Sequence, residues 1–354
     1  SCPTQPRPQP QCKRHLLGRG GGSSRGASAV LDASEACVGG ALHVLGPVLA
    51  LVVACIATGA ALTWATDVLP WYASNRGTLA ASVQAVVALM MLAGTLTSYA
   101  TVSRTPAGVV PETYRPPLRV RLAAQNDGRE AYAPYWCHEC ERFRPKAAAH
   151  CGACGVCVAR HDHHCPWINN CVGARNHAAF LRFLLWTQAS ALYVTAATTP
   201  IVEHSVRGGV AAIARAAITF GGPGVHVRRS AATAPLGAFV LACALGAALA
   251  LFISVHLFLA CTNQTSAEFS DNKEERRRAK LKGEDAWVNP HDLGSVWKNL
   301  ASTLGVDPRA ATVAAVAWAA VWPLAEPGRH GEADRAVAED ARTHDGVAAL
   351  DAVV

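Results

Sequence analysis

Charge is scarce in this chain. Asp, Glu, Lys and Arg make up 16 % of its 354 residues, hydrophobic residues make up 51 %, and the mean hydropathy is +0.18. Ordinary soluble domains carry about a quarter charged residues, so the balance points to a membrane protein. The first forty residues lack an apolar h-region, and no cleavable signal peptide is expected there. Their Pro-Gln-Pro and Gly-Arg-Gly-Gly-Gly-Ser-Ser runs predict a disordered tail over residues 1–40. Two further absences narrow the function. There is no His-Glu-x-x-His motif, so a zinc hydrolase lacks its base. No basic recognition helix follows the cysteine-rich stretch, so the net charge of +7 is not expected to serve nucleic acid.

What is present in quantity is long apolar runs. Four are long enough to cross a bilayer, which takes about 20 helical residues. They run roughly from Ala41 to Ala65, Thr78 to Val102, Ala178 to Ile201 and Pro235 to Cys261; only the third carries a charge, Arg182, near its start. Gly209 to Phe220 is shorter, contains Arg215, and is expected to be an amphipathic or irregular part of a lumenal loop. Ala310 to Ala325 is also short, holds Trp318 and Trp322, and is expected to be an interfacial or core-packed helix, with a fifth span as the minority reading.

Four spans put the N-terminal tail, the 103–177 loop and the 262–354 tail on one side. These carry five, ten and eleven Lys and Arg, against five (Arg76, Arg207, Arg215, Arg228, Arg229) on the other side. The positive-inside rule therefore places both tails and the loop in the cytosol. The expected fold is an all-α multi-pass membrane protein of four transmembrane helices, with helices 1–2 in 41–102 and helices 3–4 in 178–261. A small zinc-bound cysteine-rich cytosolic domain lies between helices 2 and 3.

Seven of the thirteen cysteines fall between Cys137 and Cys171. The stretch reads Cys137-x2-Cys140, then His150-Cys151-x2-Cys154-x2-Cys157, then Asp162-His163-His164-Cys165-Pro166-Trp167 and Cys171. The cytosol is reducing, so these are expected to be metal-bound thiolates or free thiols, not disulfides. Paired Cys-x2-Cys elements are a strong zinc signal, because two thiolates at that spacing turn onto one tetrahedral ion. Two such sites need eight ligands. The stretch offers seven cysteines and five histidines: His138, His150, His161, His163 and His164. Seven cysteines with one histidine leave no thiol over, and six with two leave one. Spacing decides neither this nor whether the sites are sequential or interleaved.

Cys165 is the best candidate for a spare thiol. It precedes Pro166, and a residue before proline is pushed towards the extended region. On an extended chain residues two apart share a face, so Cys165 and His163 face together while His164 faces away. His163 would then act as base for Cys165, and Asp162 would hold its other nitrogen. A purely structural reading, with Cys165 as a ligand, stands equally on spacing alone.

The run Cys137 to Phe180 resembles the cysteine-rich domain of the DHHC family of protein S-acyltransferases (palmitoyltransferases). The residues that carry the resemblance are Arg144-Pro145, His150-Cys151, Asp162 to Trp167, Asn170-Cys171-Val172-Gly173, Asn176 and Phe180. With the order of apolar runs it covers roughly residues 41 to 305. Carried over residue by residue, it implies two interleaved structural zinc sites, Cys137/Cys140/His150/Cys157 and Cys151/Cys154/His164/Cys171. It also implies Cys165 as nucleophile, His163 as base, Asp162 as orienting acid, and His138 and His161 as solvated bystanders. Two further family motifs are present with departures. Thr265-Ser266-Ala267-Glu268 has serine in place of the second threonine, and Asn289-Pro290-His291-Asp292-Leu293-Gly294, followed by Asn299, has His291 in place of an aromatic. The second departure bears on tail packing.

The resemblance implies transfer of a long-chain acyl group from palmitoyl-CoA, through acyl-Cys165, to cysteine thiols of membrane-associated proteins. The implied partners are acyl-CoA, those substrates and the bilayer, in a Golgi, ER or plasma membrane. The alternative is a catalytically silent membrane zinc scaffold, against which the intact Asp162/His163/Cys165 set argues. The basic run Lys273 to Lys282 reads as a solvated helical face, or as one drawn to anionic headgroups.

Overall fold

The computed structural model describes residues 45–126, 132–218, 233–283 and 288–322. The expected disordered tail 1–40, residues 219–232 of the expected lumenal loop and the chain beyond 322 lie outside the described residues. The described chain is mostly helical.

Helix α1, Leu45–Arg76, is 32 residues long and runs well past the expected end at Ala65. A π-helical turn at Trp64–Val68 lies just before Pro70, which has no N–H to donate, and the wider turn absorbs the missing bond. Gly77, at φ 88°, then breaks the helix, and α2, Thr78–Arg104, returns beside α1. Helix α3 is the short Leu118–Gln125. Helix α4, His177–Ile218, and helix α5, Thr233–Cys261, complete the bundle. Three short helices follow: α6 (Ser266–Lys282), α7 (Val296–Thr303) and α8 (Val313–Val321).

Among the described residues three helices are long and apolar enough to cross a membrane: α1, α2 and Ala234–Cys261 of α5. Their most apolar windows are only 6 %, 6 % and 11 % buried within the protein. Apolar surface left open on this scale is what a lipid solvent covers. The expected third span lies in α4, which falls outside that group because its polar residues dilute it. Those residues bind its neighbours: Ser190 Oγ lies 2.8 Å from Thr95 Oγ1, and the Tyr193 hydroxyl donates to Gln84 O at 2.8 Å. Tyr72 donates to Ala197 O at 3.0 Å. The segment from Gly209, expected to be an amphipathic or irregular part of the loop, is helical through Ile218, continuous with α4.

The 310–325 expectation settles on a packed helix. At nine residues α8 spans about 13 Å, too short to cross. Its last carbonyls accept from α4: Arg182 Nη1 donates to Ala319 O at 3.1 Å and Trp186 Nε1 to Val321 O at 2.7 Å. Val316 and Ala319 pack against Leu181, Ala260, Ala301 and Leu304, while the stacked rings of Trp318 and Trp322 stay open.

The cysteine-rich stretch departs from the all-α expectation. It consists of three antiparallel two-stranded hairpins: β1 (Trp136–Cys137) with β2 (Arg142–Phe143), β3 (Ala148–Cys151) with β4 (Val156–Ala159), and β5 (His163–Cys165) with β6 (Asn170–Val172). Segments this rich in cysteine and poor in large apolar side chains have little to gain from a helical face. Backbone bonds to the chain leaving α2 hold the middle hairpin: Val110 N donates to Cys157 O, and Ala159 N to Gly108 O.

Helix α2 meets α4 at Gly94, where an added Cβ would overlap the Trp186 indole ring. Gly94→Ala is expected to destabilise the protein by about 1–3 kcal/mol through this overlap. Gly59→Ala, whose Cβ meets nothing within 4 Å, is expected to be neutral or stabilising. Thermal unfolding of the detergent-solubilised proteins checks the contrast; equal midpoints would refute it.

Candidate functional site

The hairpins repeat at fourteen residues. Positions 137, 140, 150 and 157 recur as 151, 154, 164 and 171, each fourteen further on. The strands keep the same step, pairing Trp136 with Phe143, His150 with Cys157, and His164 with Cys171. Each turn holds a left-handed residue at the matching place: Glu141, Gly155 and Asn169, with φ of 50°, 66° and 47°.

This repetition builds two quartets. In the first two turns a backbone amide points back at the first sulfur: Cys140 N to Cys137 Sγ and Cys154 N to Cys151 Sγ, both 3.4 Å. Each turn's cysteine pair meets the cross-strand His and Cys of the next hairpin. Successive strand residues face opposite ways, so His150 joins Cys137, Cys140 and Cys157, while its neighbour Cys151 joins Cys154, His164 and Cys171. In the first quartet His150 Nδ1 is 3.2 Å from Cys140 Sγ and 3.7 Å from Cys137 Sγ. In the second, His164 Nδ1 lies 3.5 to 3.8 Å from the three sulfurs, and Cys154 and Cys171 are 3.4 Å apart. Two thiolates on one tetrahedral zinc are about 3.7 Å apart, so the donor sets fit that ion. The thiols also crowd one another: burial and the neighbouring Cys137 and Cys140 sulfurs push the Cys157 thiol up, a repulsion a dication removes.

Outside both quartets stand Asp162, His163 and Cys165. His163 Nδ1 is 3.2 Å from Asp162 Oδ2, and the imidazole also interacts with the Cys165 thiol. Burial disfavours the His163 imidazolium, but Asp162 and Cys165 outweigh it and raise the group to about 9. Burial likewise works to raise the Asp162 carboxyl, yet hydrogen bonds from His163 and Ser266 and the His177 charge hold it well below the usual carboxylate range. Cys165 itself is buried among Val102, Ile168, Val172, Phe180 and Ile253, the side where α2, α4 and α5 meet.

Helix α6 reaches this site with its N-terminus. Thr265 and Glu268 form a reciprocal capping box. Ser266 N donates to Asp162 Oδ1, and Ser266 Oγ to Asp162 O at 3.0 Å, so the serine departure keeps a useful hydroxyl. Arg160 clamps Glu268 through two 3.0 Å bonds and binds both carbonyl oxygens of Asn263. His291 sits 3.6 Å from Glu268, and Asn263 donates to its carbonyl, so the other departure joins the same cluster. Asn299 donates to Cys261 O and Asn289 to Thr262 O, tying the tail to the end of α5. Asn170 binds carbonyls of Val102, Ser103 and Thr105, and so docks the third hairpin on the end of α2.

Of the expected bystanders, His138 is exposed, but His161 is half-buried beside Cys151. Sequence reasoning passed over His256. It comes from α5, is buried, and places Nδ1 3.7 Å from Asp162 Oδ2. The available signal was a histidine in an otherwise uncharged apolar run, since ionisable groups at membrane depth are costly.

Residues 130–273 match a family model described as DHHC palmitoyltransferase. Palmitoyltransferase ZDHHC9 of Homo sapiens is 43 % identical over 89 residues, covering 25 % of this chain and 24 % of that protein. Probable protein S-acyltransferase 13 of Arabidopsis thaliana is 30 % identical over 182 residues, 49 % of this chain and 56 % of that one. Palmitoyltransferase ERF2 of Kluyveromyces lactis is 30 % identical over 165 residues, 47 % and 41 % of the two. The matches thus span a quarter to about half of these relatives' lengths.

Burial works against the Glu268 charge, but Arg160 outweighs it and holds the carboxyl below its ordinary value. A depressed carboxyl contributes stability that is present above the unfolded value, about 4.3, and is lost as pH falls through the folded one. Both side chains are largely buried, at 14 % and 13 % exposure. Arg160→Ala is therefore expected to cost about 3–5 kcal/mol at neutral pH. The gap from wild type is expected to narrow on acidification, as read by denaturant unfolding across pH; a constant gap would refute the assignment.

Proposed function

We propose, from the premise that this chain carries a DHHC palmitoyltransferase domain over residues 130–273, that it is an integral-membrane protein S-acyltransferase using Cys165 as nucleophile. The observation that carries this reading is the separation of roles within one stretch. Eight Cys and His donors form two complete quartets, and Cys165 is left with a histidine that is itself held by a buried carboxylate.

In the first step His163 takes the proton from Cys165, and the thiolate attacks the thioester carbonyl of a long-chain acyl-CoA. The new Sγ–C bond forms as the C–S bond to CoA breaks, and the CoA thiolate recovers a proton from His163. In the second step a cysteine thiol of a membrane-associated protein gives its proton to His163 and displaces Cys165 in the same way. Asp162 orients His163 and offsets its charge; Ser266 N, at the positive end of α6, holds Asp162 in turn. The apolar wall around Cys165 suits a chain of about sixteen carbons, each methylene of which gains about 0.8 kcal/mol on leaving water. Bound zinc would supply structure, since each quartet offers four protein ligands and leaves no open position for chemistry.

We further propose that α4 crosses the membrane as a fourth span. Ser190 and Tyr193 of α4 bind α2, and Tyr72 of α1 binds the Ala197 carbonyl, so a low mean hydropathy is compatible with spanning. This puts both tails and the hairpins on the cytosolic side. Glycosylation acceptors inserted in 219–232 are expected to be modified in microsomes and those in 105–135 to stay unmodified; the reverse pattern would overturn the topology.

Purified protein incubated with acyl-CoAs of several lengths is expected to gain a hydroxylamine-sensitive acyl group at Cys165 by mass spectrometry. Cys165→Ser is expected to abolish label and transfer while keeping two zinc ions. Cys157→Ser is expected to weaken or lose one ion. Retained transfer in Cys165→Ser, or its loss of a zinc, would sink the assignment. A wild type that binds zinc but takes no label would favour the silent scaffold.

A further inference from the structure

The Asp162 carboxylate is closed off from solvent, and side chains or amides from three helices and its own hairpin face it. Helix α6 supplies Ser266 N to Oδ1, and α4 brings His177 within its field. Helix α5 brings His256. His163 Nδ1 and His256 Nδ1 stand 3.2 and 3.7 Å from the same oxygen, Oδ2. The first is a hydrogen bond; the second stops about half an ångström short of one. His256 is 3 % exposed, and its Nδ1 has no hydrogen-bond partner. Buried polar nitrogens are rarely left so, and the nearest remedy is the oxygen it already approaches.

The rings around His256 fix its direction. Phe252 and Phe180 lie 4.4 and 5.2 Å from it, centroid to centroid, both edge-on. Phe180 also packs 5.3 Å from the His163 ring, and the two imidazoles are 5.9 Å apart. His163 and His256 thus share one aromatic wall and one carboxylate oxygen. Packing alone needs no nitrogen here. A phenyl ring would fill the same place without the cost of a polar group on a helix apolar enough to cross a membrane.

We propose that His256 is a positioning residue for the acyl transfer: its Nδ1–H closes onto Asp162 Oδ2 as the reaction proceeds and keeps the Asp162–His163 pair in line. This rests on the reading of Cys165 as nucleophile and His163 as its base. Ser266 N fixes only Oδ1, and the carboxylate can still turn about that bond. A second donor at Oδ2, anchored on α5 rather than on the hairpin, removes the turn. Contacts of this kind are commonly long before substrate binds and tighten in the transition state. An interaction completed only there lowers the barrier without tightening substrate binding. Its loss therefore falls on the maximal rate and leaves half-saturation unchanged.

The test follows acylation of Cys165 in the purified full-length protein over a range of palmitoyl-CoA, with zinc content measured alongside. His256→Phe, which keeps the ring and removes the donor, is expected to lower the maximal rate about ten- to hundredfold, the range for one hydrogen bond to a charged group. Half-saturation and both zinc ions are expected to stay, the latter reporting intact hairpins. His256→Asn puts an amide nitrogen where Nδ1 stands and is expected to recover most of the rate; His256→Gln puts it where Nε2 stands and is not. The proposal is overturned if His256→Phe is as fast as wild type, if His256→Asn is no faster than His256→Gln, or if the change is confined to half-saturation. Alkylation of Cys165 by iodoacetamide, read by mass spectrometry, needs the same thiol proton transfer but no acyl-CoA. It is expected to slow in His256→Phe and recover in His256→Asn. That pattern, in a protein that never takes an acyl label, upholds His256 and removes the acyltransferase reading instead.

Discussion

Cross-strand pairing of a histidine with a cysteine is the constraint on which this molecule depends. Hairpins of two to four residues per strand have no stability of their own in water. His150 opposite Cys157 and His164 opposite Cys171 convert each hairpin into half of a tetrahedral donor set, and the preceding turn supplies the other half. The middle hairpin belongs to both quartets, so the three are linked in series. Loss of order in one quartet would be felt in the strand that carries His163 and Cys165, because His164 lies between them.

The second layer is the docking of this unit against the helices. An apolar cluster joins Cys165, Ile168 and Val172 of the third hairpin to Val102, Phe180 and Ile253 of the helices, and polar clamps fix the rest. Asn170 grips the end of α2, Arg160 grips the capping box of α6, and Asn289 and Asn299 grip the end of α5. Each uses carbonyls or carboxylates that a helix terminus leaves available. The site therefore forms at the level where helices end, with the acid held from the polar side by Ser266 and the thiol against the apolar side. A reaction joining a water-soluble thioester to a lipid-like product needs both environments within a few ångströms.

Much of the site was legible because its signals are local. Pro166 forces an extended stretch, and strand alternation then sends His163 and His164 to opposite faces, as the structure places them. The apolar runs announced helices by length alone. What escaped depends on distant contacts. Nothing near Pro70 says that a π-helical turn will carry α1 onward to Arg76, and nothing in the weak 209–218 segment shows that α4 continues through it. His161 reads as a solvated loop residue until Cys151 is found beside it. His256 is ninety-four positions from Asp162, and only folding brings them together. The fourteen-residue step was in the sequence throughout, hidden because the two quartets interleave.

That step also fixes what the third turn can hold. The first two turns each carry both of their cysteine donors. The third has the opening cysteine and has isoleucine at 168 where the others have their second one. Its thiol thus sits at the place from which the first two turns present a metal-binding sulfur. Ile168, Ala178 and Leu185 stand where the same step would put the other three donors of a third quartet, so the Cys165 sulfur is presented like a ligand and left without an ion to share.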